Sequence, residues 1–89
     1  MSNDPTTSTH VVATDFDGGE GVLVDLNTKK YYQLNETAML IWRGLSQNKP
    51  VQDIIADVIA NYEVTAEHAA RSVDRVVNDF RNYDLLSRD

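Results

Sequence analysis

From Ala66 to Phe80, apolar residues recur as Ala66, Ala69, Ala70, Val73, Val76, Val77 and Phe80, an a/d spacing held for two heptads. Glu67, Arg71, Asp74, Asn78 and Arg81 fall on the other side. The pattern predicts an amphipathic helix, and Thr65 stands where a hydroxyl accepts from a free N–H of its first turn. An apolar stripe of this kind obliges the rest of the chain to provide a surface that covers it. In 89 residues that surface has to belong to the same small domain.

Two shorter helices precede it. Asn35 is a good N-cap, and Glu36 beside it complements the positive helix end. Ala38, Ile41, Trp42 and Leu45 follow at i, i+3, i+4 and i+7, and Gln47-Asn48-Lys49-Pro50 then breaks the run. A second helix from about Val51 carries Ile54, Ile55, Val58, Ile59 and Tyr62 as its buried stripe, and Glu63-Val64 forms a short connection to the third.

Before Asn35 the period drops to two. Val11–Phe16 and Gly21–Leu26 are rich in Val and Leu, and Asp17-Gly18-Gly19-Glu20 between them supplies the glycines of a tight hairpin. In the second strand Val22, Val24 and Leu26 share one face, and Leu23 and Asp25 the other. Asn27-Thr28 offers another turn into a short aromatic strand, Lys29 to Leu34. Alternation places Tyr32 and Leu34 on one face and Tyr31 and Gln33 on the other, so only one tyrosine need serve the core. The expected architecture is α+β and winged-helix-like: a three-stranded antiparallel sheet followed by three helices on one of its faces. Residues 1–10, polar and Ser/Thr-rich, read as a frayed tail, with 11–89 as the domain.

Chemistry has little to stand on. With no cysteine, disulfides, thiolate metal sites and cysteine nucleophiles are excluded. His10 and His68 have no partner at metal-ligand spacing, and no Gly-x-Ser-x-Gly elbow is present. Gly18-Gly19 lacks the remainder of a phosphate loop, and Asp15-Phe16-Asp17 lacks the alternating acceptors of a calcium loop. Asp15, Asp17, Glu20 and Asp25, near strand ends and turns, read as solvated carboxylates. The expectation is a chain without catalysis, metal or cofactor. Apolar runs of only a few residues exclude a membrane span, and the start has neither the basic cluster nor the apolar stretch of a secretory signal, so a soluble, cytoplasmic protein is expected.

A net charge of -6 argues against nucleic acid and anionic membranes and favours a protein partner. A winged-helix DNA-binding regulator is the alternative, yet acids and bases nearly cancel along the third helix, where a groove-reading helix would be basic. A small structural domain that dimerises edge to edge is a third reading. The one cluster of cations and aromatics on a strand is Lys29-Lys30-Tyr31-Tyr32-Gln33. Either the lysines guard a sheet edge against aggregation, or the edge accepts an extended peptide. On the second reading, proline at Tyr32 or Gln33 is expected to weaken capture of that peptide without necessarily unfolding an edge strand.

The stretch from Gly21 to Trp42, GVLVDLNTKKYYQLNETAMLIW, resembles the central signature of the PqqD-like family, the recognition elements of ribosomally made, post-translationally modified peptide pathways. The likeness continues through Val51-Gln-Asp-Ile-Ile and the third helix to Asp84-Leu-Leu. The resemblance implies a non-catalytic domain that binds the leader of a precursor peptide as an added antiparallel strand and delivers it to a modifying enzyme: a protease, a cyclase or a radical SAM maturase. Carried to this sequence, the docking strand is Lys29, Lys30, Tyr31, Tyr32, Gln33 and Leu34. The facing wall comes from Arg71, Ser72, Arg75, Val76, Asp79 and Phe80, where Arg75 and Asp79 pair with each other or with leader charges. Members serving pyrroloquinoline quinone synthesis carry an aromatic, proline-containing strand before the Leu-Asn block, whereas this chain has Asp25-Leu-Asn-Thr-Lys-Lys-Tyr-Tyr. The form looks more like the recognition proteins of lasso-peptide or related pathways.

Overall fold

The computed structural model describes residues 5–87. Its elements are β1 (Val11–Asp15), β2 (Gly21–Asp25), β3 (Tyr31–Leu34), α1 (Glu36–Ser46), α2 (Val51–Tyr62) and α3 (Ala66–Asn82). The three strands form one antiparallel sheet in the order β1-β2-β3, as expected. Gly18 and Gly19 take φ of 91° and 92°, a region closed to most side chains, and this lets Phe16 N–H close the first hairpin on Glu20 O at 2.8 Å.

Gly21, Leu23 and Asp25 form the buried face of β2, and Val22 and Val24 are half-buried on the other. Burial of Asp25 corrects its reading as a solvated carboxylate. Its Oδ1 accepts from the N–H groups of Asn27 at 2.9 Å and Thr28 at 3.2 Å, and its Oδ2 lies 3.6 Å from His10 Nε2. A carboxylate can leave water when hydrogen-bond donors replace it, and here the turn that follows provides them. The same turn puts Lys29 at φ 65°, with its N–H on Asp25 O at 2.7 Å. Lys29 and Lys30 therefore precede β3 and are not part of the strand.

The helix starts are formed as their caps predict. Asn35 Oδ1 accepts from Ala38 N–H at 2.9 Å, and Thr65 Oγ1 accepts from His68 N–H at 3.1 Å. On α1 the buried residues are Met39, Ile41, Trp42, Gly44 and Leu45. Ala38, expected in the core stripe, is only half-buried, and Met39 lies inside because Gly21 leaves it room: a Cβ there would stand 2.6 Å from Met39 Sδ. Gly44 lets Ile54 of α2 approach in the same way. Ile54 and Val58 of α2 are fully buried, whereas Ile55, Ile59 and Tyr62 pack at the margin of the core. Ala69, Val73, Val77 and Phe80 bury the stripe of α3, and Phe80 meets Trp42 edge-to-face at 5.3 Å and 86°. Together with Leu23, Leu85 and Leu86 they make one core between sheet and helices.

The first four residues of the expected tail lie outside the described residues, and the rest of it is not frayed. Thr7 forms a β-bridge with Leu86, flanked by Ser8 N–H to Leu85 O at 3.0 Å and Ser87 N–H to Thr6 O at 2.8 Å. Thr6 Oγ1 also donates to Leu45 O at 3.2 Å. The sequence hides this tie because it uses main-chain groups, which any residue can supply. Among the described residues no helix is long and apolar enough to cross a membrane.

Candidate functional site

β3 is an edge of the sheet, and the ladder fixes which of its main-chain groups are free. Asp25 N–H donates to Lys30 O at 2.9 Å, so the bonded pairs of the β2–β3 ladder continue at every second residue, Leu23 with Tyr32 and Gly21 with Leu34. The N–H and C=O of Tyr31 and Gln33 consequently point outward from the sheet edge. Side chains alternate the other way. Tyr31 and Gln33 are exposed, and Tyr32 and Leu34 lean toward the core.

Next to this edge runs a cleft of about 500 Å³. Tyr31 to Leu34 form one wall, and Asn35 and Ala38 close it where β3 runs into α1. The opposite wall is α3, through Arg75, Val76, Asp79 and Phe80, continued by Tyr83 at its C-cap, with Leu85 beneath. Those positions share one helical face, since residues three and four apart lie one above another. Half-buried Val76 and buried Phe80 give the wall an apolar base, and Arg75 and Asp79 are exposed at its rim. Tyr83 crosses to Tyr32, their ring centroids 4.8 Å apart.

Eight of the twelve expected residues line this cleft: Tyr31, Tyr32, Gln33, Leu34, Arg75, Val76, Asp79 and Phe80. Lys29 and Lys30 sit in the preceding turn. Arg71 and Ser72 belong to a separate shallow recess with His68 and Arg75, and Arg71 approaches Glu67 at 3.7 Å. The mutual pairing open to Arg75 and Asp79 does not form: neither makes an ion pair or a side-chain hydrogen bond with any described residue. The lining also includes Asn35, Ala38, Tyr83 and Leu85, which the sequence reading missed. Tyr83 had a signal, for it stands seven residues after Val76 and four after Asp79 on the same stripe.

Asp25 supports the site from behind. Burial works to raise its pKa, but the Thr28 and Asn27 N–H groups, the nearby His10 and the Thr28 hydroxyl outweigh burial and hold it below the ordinary aspartate value. The charged form thus fixes the turn that delivers β3. Among the described residues no group of three or more His, Cys, Asp or Glu is placed to hold a metal ion.

An open third strand facing one side of a helix across a cleft defines a class of small α+β domains with a free sheet edge. Residues 20–86 match the family model of coenzyme PQQ synthesis protein D (PqqD), and the chain belongs to that family. No curated protein is matched by the sequence. Among solved structures the fold is similar to that of TbiB1 in complex with the TbiA(beta) leader peptide, at 27% identity and a TM-score of 0.86, over 94% of this chain and 96% of that one. It also resembles a lasso peptide synthetase B1 complexed with the leader peptide, at 24% identity and a TM-score of 0.83, over 94% of this chain and 98% of that one.

Proposed function

We propose that this protein is a recognition element for the leader of a ribosomally made precursor peptide, which it binds as a fourth, antiparallel strand along β3. The observation that carries this reading is the outward-facing N–H and C=O of Tyr31 and Gln33 beside a cleft whose far wall is α3. An extended peptide satisfies these main-chain groups whatever its sequence, and its inward side chains meet Val76, Phe80 and the tyrosine pair, which select among sequences. The similarity to TbiB1, solved with a leader peptide, supports the same reading. The bond-making chemistry belongs to a partner enzyme of a lasso-peptide or related pathway. Holding the leader raises the effective concentration of the remaining peptide at that enzyme. Nothing favours the DNA-binding alternative, since the exposed face of α3 mixes Glu67, Asp74 and Asp79 with its arginines and the chain carries a net charge of -6.

The test is a titration of isotope-labelled protein with a synthetic precursor-peptide leader. The amides of Tyr31 and Gln33 are expected to shift and to gain protection from hydrogen exchange. Binding that leaves both amides unprotected contradicts the assignment.

A further inference from the structure

The two rim charges of α3 have no partner among the described residues, and they are spaced to meet a strand. Arg75 and Asp79 are four residues apart, a rise of about 6 Å on a helix. Residues i and i+2 of a strand face the same way about 6.6 Å apart. Two successive inward side chains of a docked peptide therefore come level with the two charges.

The direction of α3 fixes the order. Tyr83 packs on Tyr32 near the start of β3, and Leu85 and Leu86 bond to Thr7 and Ser8 just ahead of β1, whose first residue lies beside Asp25. The C-terminal end of α3 is thus at the beginning of β3, and Arg75, about 12 Å back along the helix from Tyr83, lies away from that end. An antiparallel guest enters at the Leu34 end and passes Arg75 before Asp79.

Resting on the strand-docking reading above, we infer that Arg75 and Asp79 select the guest's sequence and register, favouring an acidic residue followed two positions later by a basic one. The order matters because the reversed peptide puts like charges opposite each other at both positions. Arg75 and Asp79 are specificity residues and not structural ones, since both are exposed and neither holds another part of the fold.

The experiment selects from a displayed library of random decapeptides on the wild-type protein and on the double variant R75D/D79R. Wild type is expected to enrich acidic-x-basic, and the double variant basic-x-acidic. For a peptide chosen by wild type, Arg75→Gln and Asp79→Asn each weaken binding about threefold, the range of a solvent-exposed ion pair, and high salt shrinks both effects. Enrichment of the same charge order by both proteins, or of uncharged peptides that protect the Tyr31 and Gln33 amides, overturns the charge rule and leaves strand docking intact. Peptides that bind without protecting those amides, or no enrichment by either protein, overturn docking and the charge rule with it.

Discussion

The rings of Tyr32 and Tyr83 lie 4.8 Å apart and tilted by 31°, and among the described residues this ring contact joins the edge strand to the residue that caps α3. Tyr83 itself is half exposed and lies outside the core cluster. Tyr83→Ala should remove a wall of the cleft and little of the fold. The ring pair is internal to the protein, so its loss should cost the fold about 0.5–1.5 kcal/mol, while the missing wall lowers leader affinity. Fluorescence anisotropy with a labelled leader reads the affinity, and a thermal melt reads the stability.

Proline on β3 should have opposite consequences at adjacent positions, which corrects the expectation that Tyr32 and Gln33 are equivalent. Gln33→Pro removes an N–H that faces outward, and edge strands accept proline there. The leader loses a main-chain bond, so binding should weaken at least fivefold while the fold persists. Tyr32→Pro removes an N–H that bonds to Leu23 of β2 and leaves its carbonyl unpaired near the core, at a cost of about 1–3 kcal/mol. Urea unfolding of the two variants separates the cases.

Asp25 sets an acid limit on stability. Its folded pKa lies below the unfolded value, so its contribution is complete above the ordinary aspartate range and is lost as pH falls through the folded value. The Asp25→Asn variant should be less stable than wild type near neutral pH, and its stability should fall less steeply with acid in that window. Chemical unfolding at a series of pH values checks the slope. Equal slopes for the two proteins would show that Asp25 does not carry the linkage.

Gly21→Ala should destabilise the domain by about 1–3 kcal/mol through overpacking. Its Cβ would stand 2.6 Å from Met39 Sδ and 2.7 Å from the Thr14 carbonyl oxygen. The methionine can swing away, but the carbonyl is held in the β1–β2 ladder. A lowered urea midpoint with an unchanged slope is the expected result.

What the sequence made legible was local. The Asn35 and Thr65 caps each join a side chain to an N–H three residues on, and the Gly18-Gly19 turn depends on two adjacent dihedrals, so short windows of sequence carry them. The inward face of β2 was harder, because Asp25 looks like a solvent residue until the Asn27 and Thr28 N–H groups are seen folding back to it. Four cleft residues escaped for another reason. Ala38 and Asn35 were already accounted for by core and cap, Tyr83 extends the helical stripe just past the end of α3, and Leu85 reaches the site because the chain turns there with Asp84 at φ 62°. That Arg75 and Asp79 do not pair is likewise a matter of rotamers, which spacing cannot decide.

The Thr7–Leu86 bridge brings the two ends of the described chain onto neighbouring rungs, at the end of the cleft marked by Tyr83. Viewed from outside, the domain hangs from a single point of attachment. It can be spliced into a surface loop of a larger protein without a spanning linker, and domains with adjacent ends tolerate such insertion well. A guest strand running antiparallel to β3 leaves the cleft at this same end. Thr7 and Leu86 are therefore stationed where the downstream part of a captured peptide would emerge.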